Sequence, residues 1–597
     1  MKKHFLIFTI SLLFFSLAQG KVKLPAMMGD HMVLQQNSSV KLWGWADSKK
    51  VTVTTSWNNR TYKVSTDDEG AWLVKVDTPA GSFTPYSITI SDGTRVTLSD
   101  ILIGEVWICS GQSNMEMTMK GNMGQPIDHS LETLLNAGNY RDRIRFITVP
   151  RTKGVKERTD FEGAKWEVSS PETTMDCSAA GYFFARQLTE TLHLPVGLVI
   201  NSWGGSRIEA WMTEETLASV EGANIEAAKN PKLDTNSRLQ CLYNIMLLPV
   251  KNYTARGFLW YQGESNLFNY QIYAPMMTAM VQLWRNVWEA PDMPFYYVQI
   301  APHKYGNSRN INSALLQEAQ MKALQTIPNS GMIPTIDVGD EFCIHPPQKN
   351  VVGLRLANLA LTKTYGLHKF PSTGPMMTKV EYSKNKAIVT LDNAPSGLAP
   401  GSCELEGFEI AGADKKFYPA KARIAGRTRN VEVWSDQVAQ PVAVHPAGQP
   451  VAGEVRVRAV ALHRVQDFVI RHPVALAGVK VVDTVSRGGV NDAGTGRGVN
   501  IVREEHGREA AVALIHLSKR MAETDAFERR ALHRGERRAR HAVTLQSGGG
   551  KRLAKNQEAA AGIDQLIAEF GVNVQGLVRG NGPRGRGPDH DRAGLRD

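Results

Sequence analysis

Between residues 21 and 100, apolar and polar positions alternate in short runs. Residues 40–45, 51–57, 72–76 and 86–90 show partial or full alternation, the period of a half-buried strand. Turn-forming groups such as Asp67-Asp68-Glu69-Gly70 and Ser91-Asp92-Gly93 separate them. This spacing predicts a small β-sandwich-like domain over 21–100. From 101 to 375 the pattern changes. Apolar strand-like runs at 101–108, 144–149, 196–201, 257–261, 295–300 and 332–337 alternate with helical-period segments at 181–192, 272–287, 313–324 and 353–364. Strand–helix alternation predicts an α/β layer fold with a mostly parallel sheet. Residues 376–444 return to alternation, as at 387–391 and 431–434, and are expected to form a partial C-terminal β region.

The first twenty residues stand apart. Lys2, Lys3 and His4 precede an apolar stretch at 5–17 and the small residues Ala18-Gln19-Gly20. That is the pattern of a secretory signal peptide, and it is too short for a span of ~20 residues. No later segment of that length is free of charge, so no membrane span is expected. The mature chain is expected to be secreted or periplasmic.

The net charge of +11 raises the question of a polyanion partner. Residues 445–597 carry 25 Lys+Arg against 17 Asp+Glu, and the rest of the chain is close to neutral. The excess therefore belongs to the tail. After Val444 there is no Trp, Tyr or Cys, and arginine outnumbers lysine 21 to 4. A basic polyanion-binding arm, a disordered extension and sequence outside the native reading frame all fit this break; its suddenness favours the last. No nucleic-acid partner is expected for the body. The five cysteines are scattered without a CxxC pair, which argues against a zinc site and for core filling.

Candidate chemistry gathers where strand-like runs end. The run through Ile108 stops in Cys109-Ser110-Gly111-Gln112-Ser113-Asn114-Met115. A serine at such a turn projects from the C-terminal edge of a sheet, where open α/β folds bind ligands. Three further segments end strand-like runs: Asn201-Ser202-Trp203-Gly204-Gly205-Ser206-Arg207, Trp260-Tyr261-Gln262-Gly263-Glu264-Ser265-Asn266, and Asp337 through Pro347. The glycine pair allows close backbone approach and a free N–H. Gln262 or Asn266 has a side-chain N–H to offer an oxyanion, and Glu264 a carboxylate for a sugar hydroxyl. His345 follows the serine in chain order and suits a general base.

These four segments resemble the SGNH-type esterases, and most closely the sialate O-acetylesterase family of carbohydrate esterases, over about residues 21–443. The resemblance implies an SGNH-hydrolase-like three-layer domain flanked by all-β segments. It implies Ser113 as nucleophile, His345 as base, and an oxyanion hole from the Ser113 N–H, a glycine N–H near Gly205 and a polar side chain of Gln262 or Asn266. Trp203, Arg207 and Glu264 are expected to meet the substrate. The superfamily often places its acid three residues before the histidine, where this chain has Phe342, and the next position is Cys343. The third member stays open among Asp337, Asp340, Glu341 and a backbone carbonyl. The implied reaction removes O-acetyl groups from sialic acids or related sugars through an acetyl-enzyme, with no metal or organic cofactor. An acetyl xylan esterase and a non-catalytic carbohydrate-binding surface protein are the rival readings.

Overall fold

The computed structural model describes residues 22–446 apart from 306–311, 369–371, 395–396, 399–403 and 427. The expected leader and the tail beyond residue 446 lie outside the described residues.

Seven strands come first: β1 (Val33–Gln35), β2 (Ser39–Trp45), β3 (Lys50–Thr55), β4 (Arg60–Ser65), β5 (Ala71–Asp77), β6 (Ser82–Ser91) and β7 (Arg95–Gly111). β2 and β5 pair as an antiparallel ribbon, while β3 pairs with β4 and β6, and β6 with β7. The alternation read from the sequence buries Val51, Val53, Ile88 and Ile90. β4 rests one face, Tyr62 and Val64, half-buried against that core and turns Thr61, Lys63 and Ser65 to solvent.

β7 runs unbroken through the expected boundary at residue 100. Its first half pairs antiparallel with β6, and its second half runs parallel between two strands of the next sheet. One strand thus serves both sheets, and its last residue stands two positions before Ser113.

The second sheet adds β8 (Ile144–Thr148), β9 (Glu167–Val168), β10 (Val196–Ser202), β11 (Gly257–Tyr261), β12 (Phe295–Val298) and β13 (Ser330–Ile333). The order is β13-β12-β11-β7-β10-β8-β9, parallel except for β9 at one edge. β13 stops before the expected end of the 332–337 run because Pro334 follows and has no N–H for the ladder.

Successive side chains of these strands face opposite sides. Val106, Ile108, Phe258, Trp260 and Phe295 pack with Met277 and Trp284 of the helix Tyr270–Val287. Trp107, Cys109, Leu259, Tyr261 and Tyr296 pack with Phe184 and Leu188 of the helix Ala179–Leu192 and Leu356 of the helix Lys349–Lys363. Fully burying such a side chain contributes roughly 1.5–3 kcal/mol. The last two helices touch at Gly353, where a Cβ would lie 2.5 Å from that of Phe183. The result is the three-layer α/β/α arrangement expected for residues 101–375.

The C-terminal strands β14 (Met376–Ser383), β15 (Lys386–Asp392), β16 (Glu404–Ala411), β17 (Phe417–Ile424), β18 (Asn430–Trp434) and β19 (Ala443–Pro446) form a separate antiparallel sheet in the order β14-β15-β18-β17-β16-β19. It has its own core, including Val389, Leu391, Ile410, Val431, Val433 and Val444. Cys109, Cys177 and Cys241 are buried free thiols, Cys343 is a half-buried one, and Cys403 lies outside the described residues. No helix among the described residues is long and apolar enough to cross a membrane.

Candidate active site

The nucleophile turn is built by close approach. Gly111 ends β7 at φ +135°, and a Cβ there would overlap the Tyr261 carbonyl of the neighbouring strand. Only glycine meets both demands. Gln112 donates its N–H to that carbonyl at 2.9 Å, and its side-chain Oε1 accepts the Gly263 N–H at 3.2 Å. The β7 and β11 turns are thereby tied together. Ser113 opens the short helix Ser113–Glu116, so its N–H is among those that a helix leaves without an internal acceptor.

His345 stands opposite. Its Nε2 lies 2.8 Å from Ser113 Oγ, across 232 residues of sequence. Its Nδ1 lies 2.9 Å from Oε1 of Gln125. An amide oxygen can only accept, so Nδ1 carries the proton and Nε2 is left to take one from the serine. Asn122 Nδ2 reaches the same Gln125 oxygen at 3.5 Å, and backbone bonds between Asn122 and Gln125 run in both directions. Burial, then the Lys349 ammonium and His303, hold the His345 pKa below its ordinary 6.5.

None of the carboxylates expected beside His345 reaches it. Asp337 forms a two-pronged ion pair with Arg355, both nearly buried. Asp340 accepts the backbone N–H groups of Phe342 and Cys343 at 2.7 and 2.8 Å. Glu341 pairs with Lys304 at 3.0 Å. Asp340 is thus spent within its own loop, Asp337 on the helix Lys349–Lys363 and Glu341 on the segment after β12. Gln125 occupies the third position instead. Its visible signal was only a polar turn, Gly121-Asn122-Met123-Gly124-Gln125-Pro126, without a carboxylate to attract attention.

The polar residues of the β11 turn are likewise committed. Gln262 is fully buried and donates to Ser206 O at 3.0 Å and to Asn266 Oδ1 at 2.6 Å. Asn266, also fully buried, accepts the Ile208 N–H and donates to Glu209 and Asn269. Their side-chain N–H groups are spent on the scaffold and are not aimed at an oxyanion. Glu264 is buried too, bonded to Asn114 Nδ2 at 2.6 Å, so it does not meet a substrate.

The glycine turn does face the serine. A Cβ on Gly204 would lie 3.3 Å from that of Ser113. The Gly204 N–H is taken by the Glu116 carboxylate, which also pairs with Arg151. Gly205 is exposed at φ +70°. Trp203 is half-buried, and Arg207 lies over the exposed Phe268 ring at 4.6 Å from its centre. No cluster of metal-binding side chains occurs among the described residues.

Residues 103–362 match the sequence model of the sialic acid-specific acetylesterases, a carbohydrate esterase family. A carbohydrate acetylesterase of known structure from Xanthomonas citri is 31% identical, with TM-score 0.64, covering 74% of this chain and 98% of that one. The chain belongs to this carbohydrate esterase family. The sialate O-acetylesterases of Rattus norvegicus and Homo sapiens are each 28% identical, across 62% of this chain and 78% and 76% of theirs. The esterase is a carboxylic ester hydrolase with an SGNH-type catalytic domain, and the family match spans β7 to the helix Lys349–Lys363.

Proposed function

We propose that this esterase removes O-acetyl groups from sialic acids or closely related acetylated sugars by a serine mechanism. The observation that carries the reading is the 2.8 Å approach of His345 Nε2 to Ser113 Oγ. His345 takes the hydroxyl proton as Oγ attacks the acetyl carbonyl. The Ser113 and Gly205 N–H groups hold the oxyanion that forms. The imidazolium returns its proton to the sugar oxygen as the ester bond breaks, leaving the acetyl group on Ser113 Oγ. Water then attacks this acyl-enzyme with His345 again as base, and acetate leaves. Gln125 keeps the imidazole in the required tautomer throughout. No step uses a metal or organic cofactor.

Sialate O-acetylesterase is the name of the rat and human relatives, which supports an acetylated sialic acid as substrate. Trp203 and Arg207, beside the glycine turn, offer a ring face and a cation to the sugar. The basic n-region and short apolar stretch at the N-terminus support export to the periplasm or beyond.

The test is acetate release from 9-O-acetylated sialic acid and from acetylated xylan, by the wild type and by Ser113→Ala. Release from the sialic acid by the wild type alone is expected. Preference for xylan would replace the substrate while keeping the chemistry. Equal release by Ser113→Ala would remove Ser113 from the reaction.

A further inference from the structure

We infer that Asn114 and Lys349 are positioning residues that clamp the backbone on both sides of His345 to the nucleophile turn. Asn114, next to the serine, donates from Nδ2 to the carbonyl of Ile344 at 3.1 Å. Lys349 donates from Nζ to the carbonyl of Pro346 at 2.7 Å. The two side chains are themselves joined, Lys349 Nζ to Asn114 Oδ1, at 2.8 Å. The residues before and after the base are thus both held by one bonded pair, and half of that pair adjoins the nucleophile. This inference rests on the reading of Ser113 and His345 given above.

The chemistry of the pair argues against simple core filling. Asn114 and Lys349 are both fully buried. An ammonium there loses its hydration and stays only where hydrogen bonds and counter-charge offset that loss. Methionine would fill the same volume at no such cost. What it could not do is donate at once to Asn114 and to the loop carbonyl. The counter-charge is Glu264, whose Oε1 accepts the second Asn114 N–H at 2.6 Å. The Lys349 ammonium also lies 5.8 Å from the centre of the Tyr261 ring, a favourable placement for a cation. Burial pushes Lys349 down to about 7 and raises Glu264. A neutral amine keeps N–H groups for both carbonyl-type acceptors, so the clamp survives the loss of that charge.

The β11 turn, the nucleophile helix and the first residue of the helix Lys349–Lys363 meet at this point. The connection explains how a base on a loop of irregular backbone is registered against a serine on a different element. A displacement of the imidazole by ~1 Å costs about 100-fold in rate.

The experiment compares Lys349→Met, Asn114→Ala and the double variant with the wild type and Ser113→Ala, after circular dichroism and thermal unfolding have identified the folded proteins. The expected result is a ~10- to 100-fold fall in kcat for each single variant with KM within ~3-fold. The double variant should be little worse than the worse single one, because both cut the same clamp. A folded Lys349→Met with wild-type kcat, or independent multiplying losses, would overturn the inference. Should Lys349→Met not fold, Asn114→Ala decides by the same kcat and KM criterion. Ser113→Ala separates the two claims: its full activity would defeat the reading of the site, whereas its inactivity beside a fully active Lys349→Met would defeat the clamp alone.

Discussion

Gln125 Oε1 stands 2.9 Å from Nδ1 of His345, the place that a carboxylate takes in a Ser-His-Asp triad. A neutral amide fixes the tautomer but gives the imidazolium little electrostatic support. Gln125→Ala should lower kcat by ~10- to 100-fold, since the ring loses its orientation. Gln125→Glu keeps an acceptor and adds charge, so it should stay within ~10-fold of wild type while raising the pKa of the base. Steady-state kinetics of the two variants checks both; equal losses would show that the contact does not orient the ring.

The pH profile follows from the environment of His345. Burial, Lys349 and His303 all disfavour its protonated form. The neutral imidazole is the active base, so activity is lost as pH falls through the depressed pKa. The acid limb of kcat/KM should therefore lie below 6.5, the ordinary histidine value, and in Gln125→Glu it should move upward. A wild-type limb above 6.5 would contradict this environment.

Asp337 tests the division between chemistry and scaffold. Its side chain and that of Arg355 are 6% and 4% exposed. Removing one partner of a buried pair strands the other, at a cost of about 3–5 kcal/mol. Asp337→Ala should lose roughly that stability in urea unfolding, while each folded molecule keeps near wild-type kcat at low temperature. A fully stable but inactive variant would return Asp337 to the catalytic group.

Arg151 is expected to act through charge. It pairs with Glu116, whose carboxylate binds the Gly204 N–H beside Ser113. Without the guanidinium, an uncompensated negative charge stands near the forming oxyanion. Arg151→Ala should lower kcat by ~5- to 10-fold, about 1–1.4 kcal/mol. Adding Glu116→Gln should restore most of that loss. A double variant slower than Arg151→Ala would argue against the electrostatic origin.

How far the sequence reveals the site depends on what kind of signal each residue carries. The parallel layers follow from buried strands and amphipathic helices, and Ser113 and His345 were found because they follow strand-like runs. The structure brings those two together. Proximity in sequence misled for Asp337, Asp340 and Glu341, because Arg355, two loop amides and Lys304 draw them away. Gln262 and Asn266 look like free donors in a polar turn, yet tertiary packing turns them inward on Ser206 and Glu209. Gln125 could not be found by a search for acids. The boundary expected at residue 100 falls inside β7, a single strand used by two sheets, and a continuous strand has no turn to mark where one sheet hands over to the next.

The most direct measurement is the mass of the Ser113 peptide after rapid acid quench of the esterase with an activated acetyl ester. The mass of one acetyl group should appear on that peptide at early times and decay as the ester is consumed. It should be absent in Ser113→Ala and much slower to form in His345→Ala. Turnover of the ester with no acetyl group on Ser113, or with the label on another residue, would contradict the acetyl-enzyme mechanism.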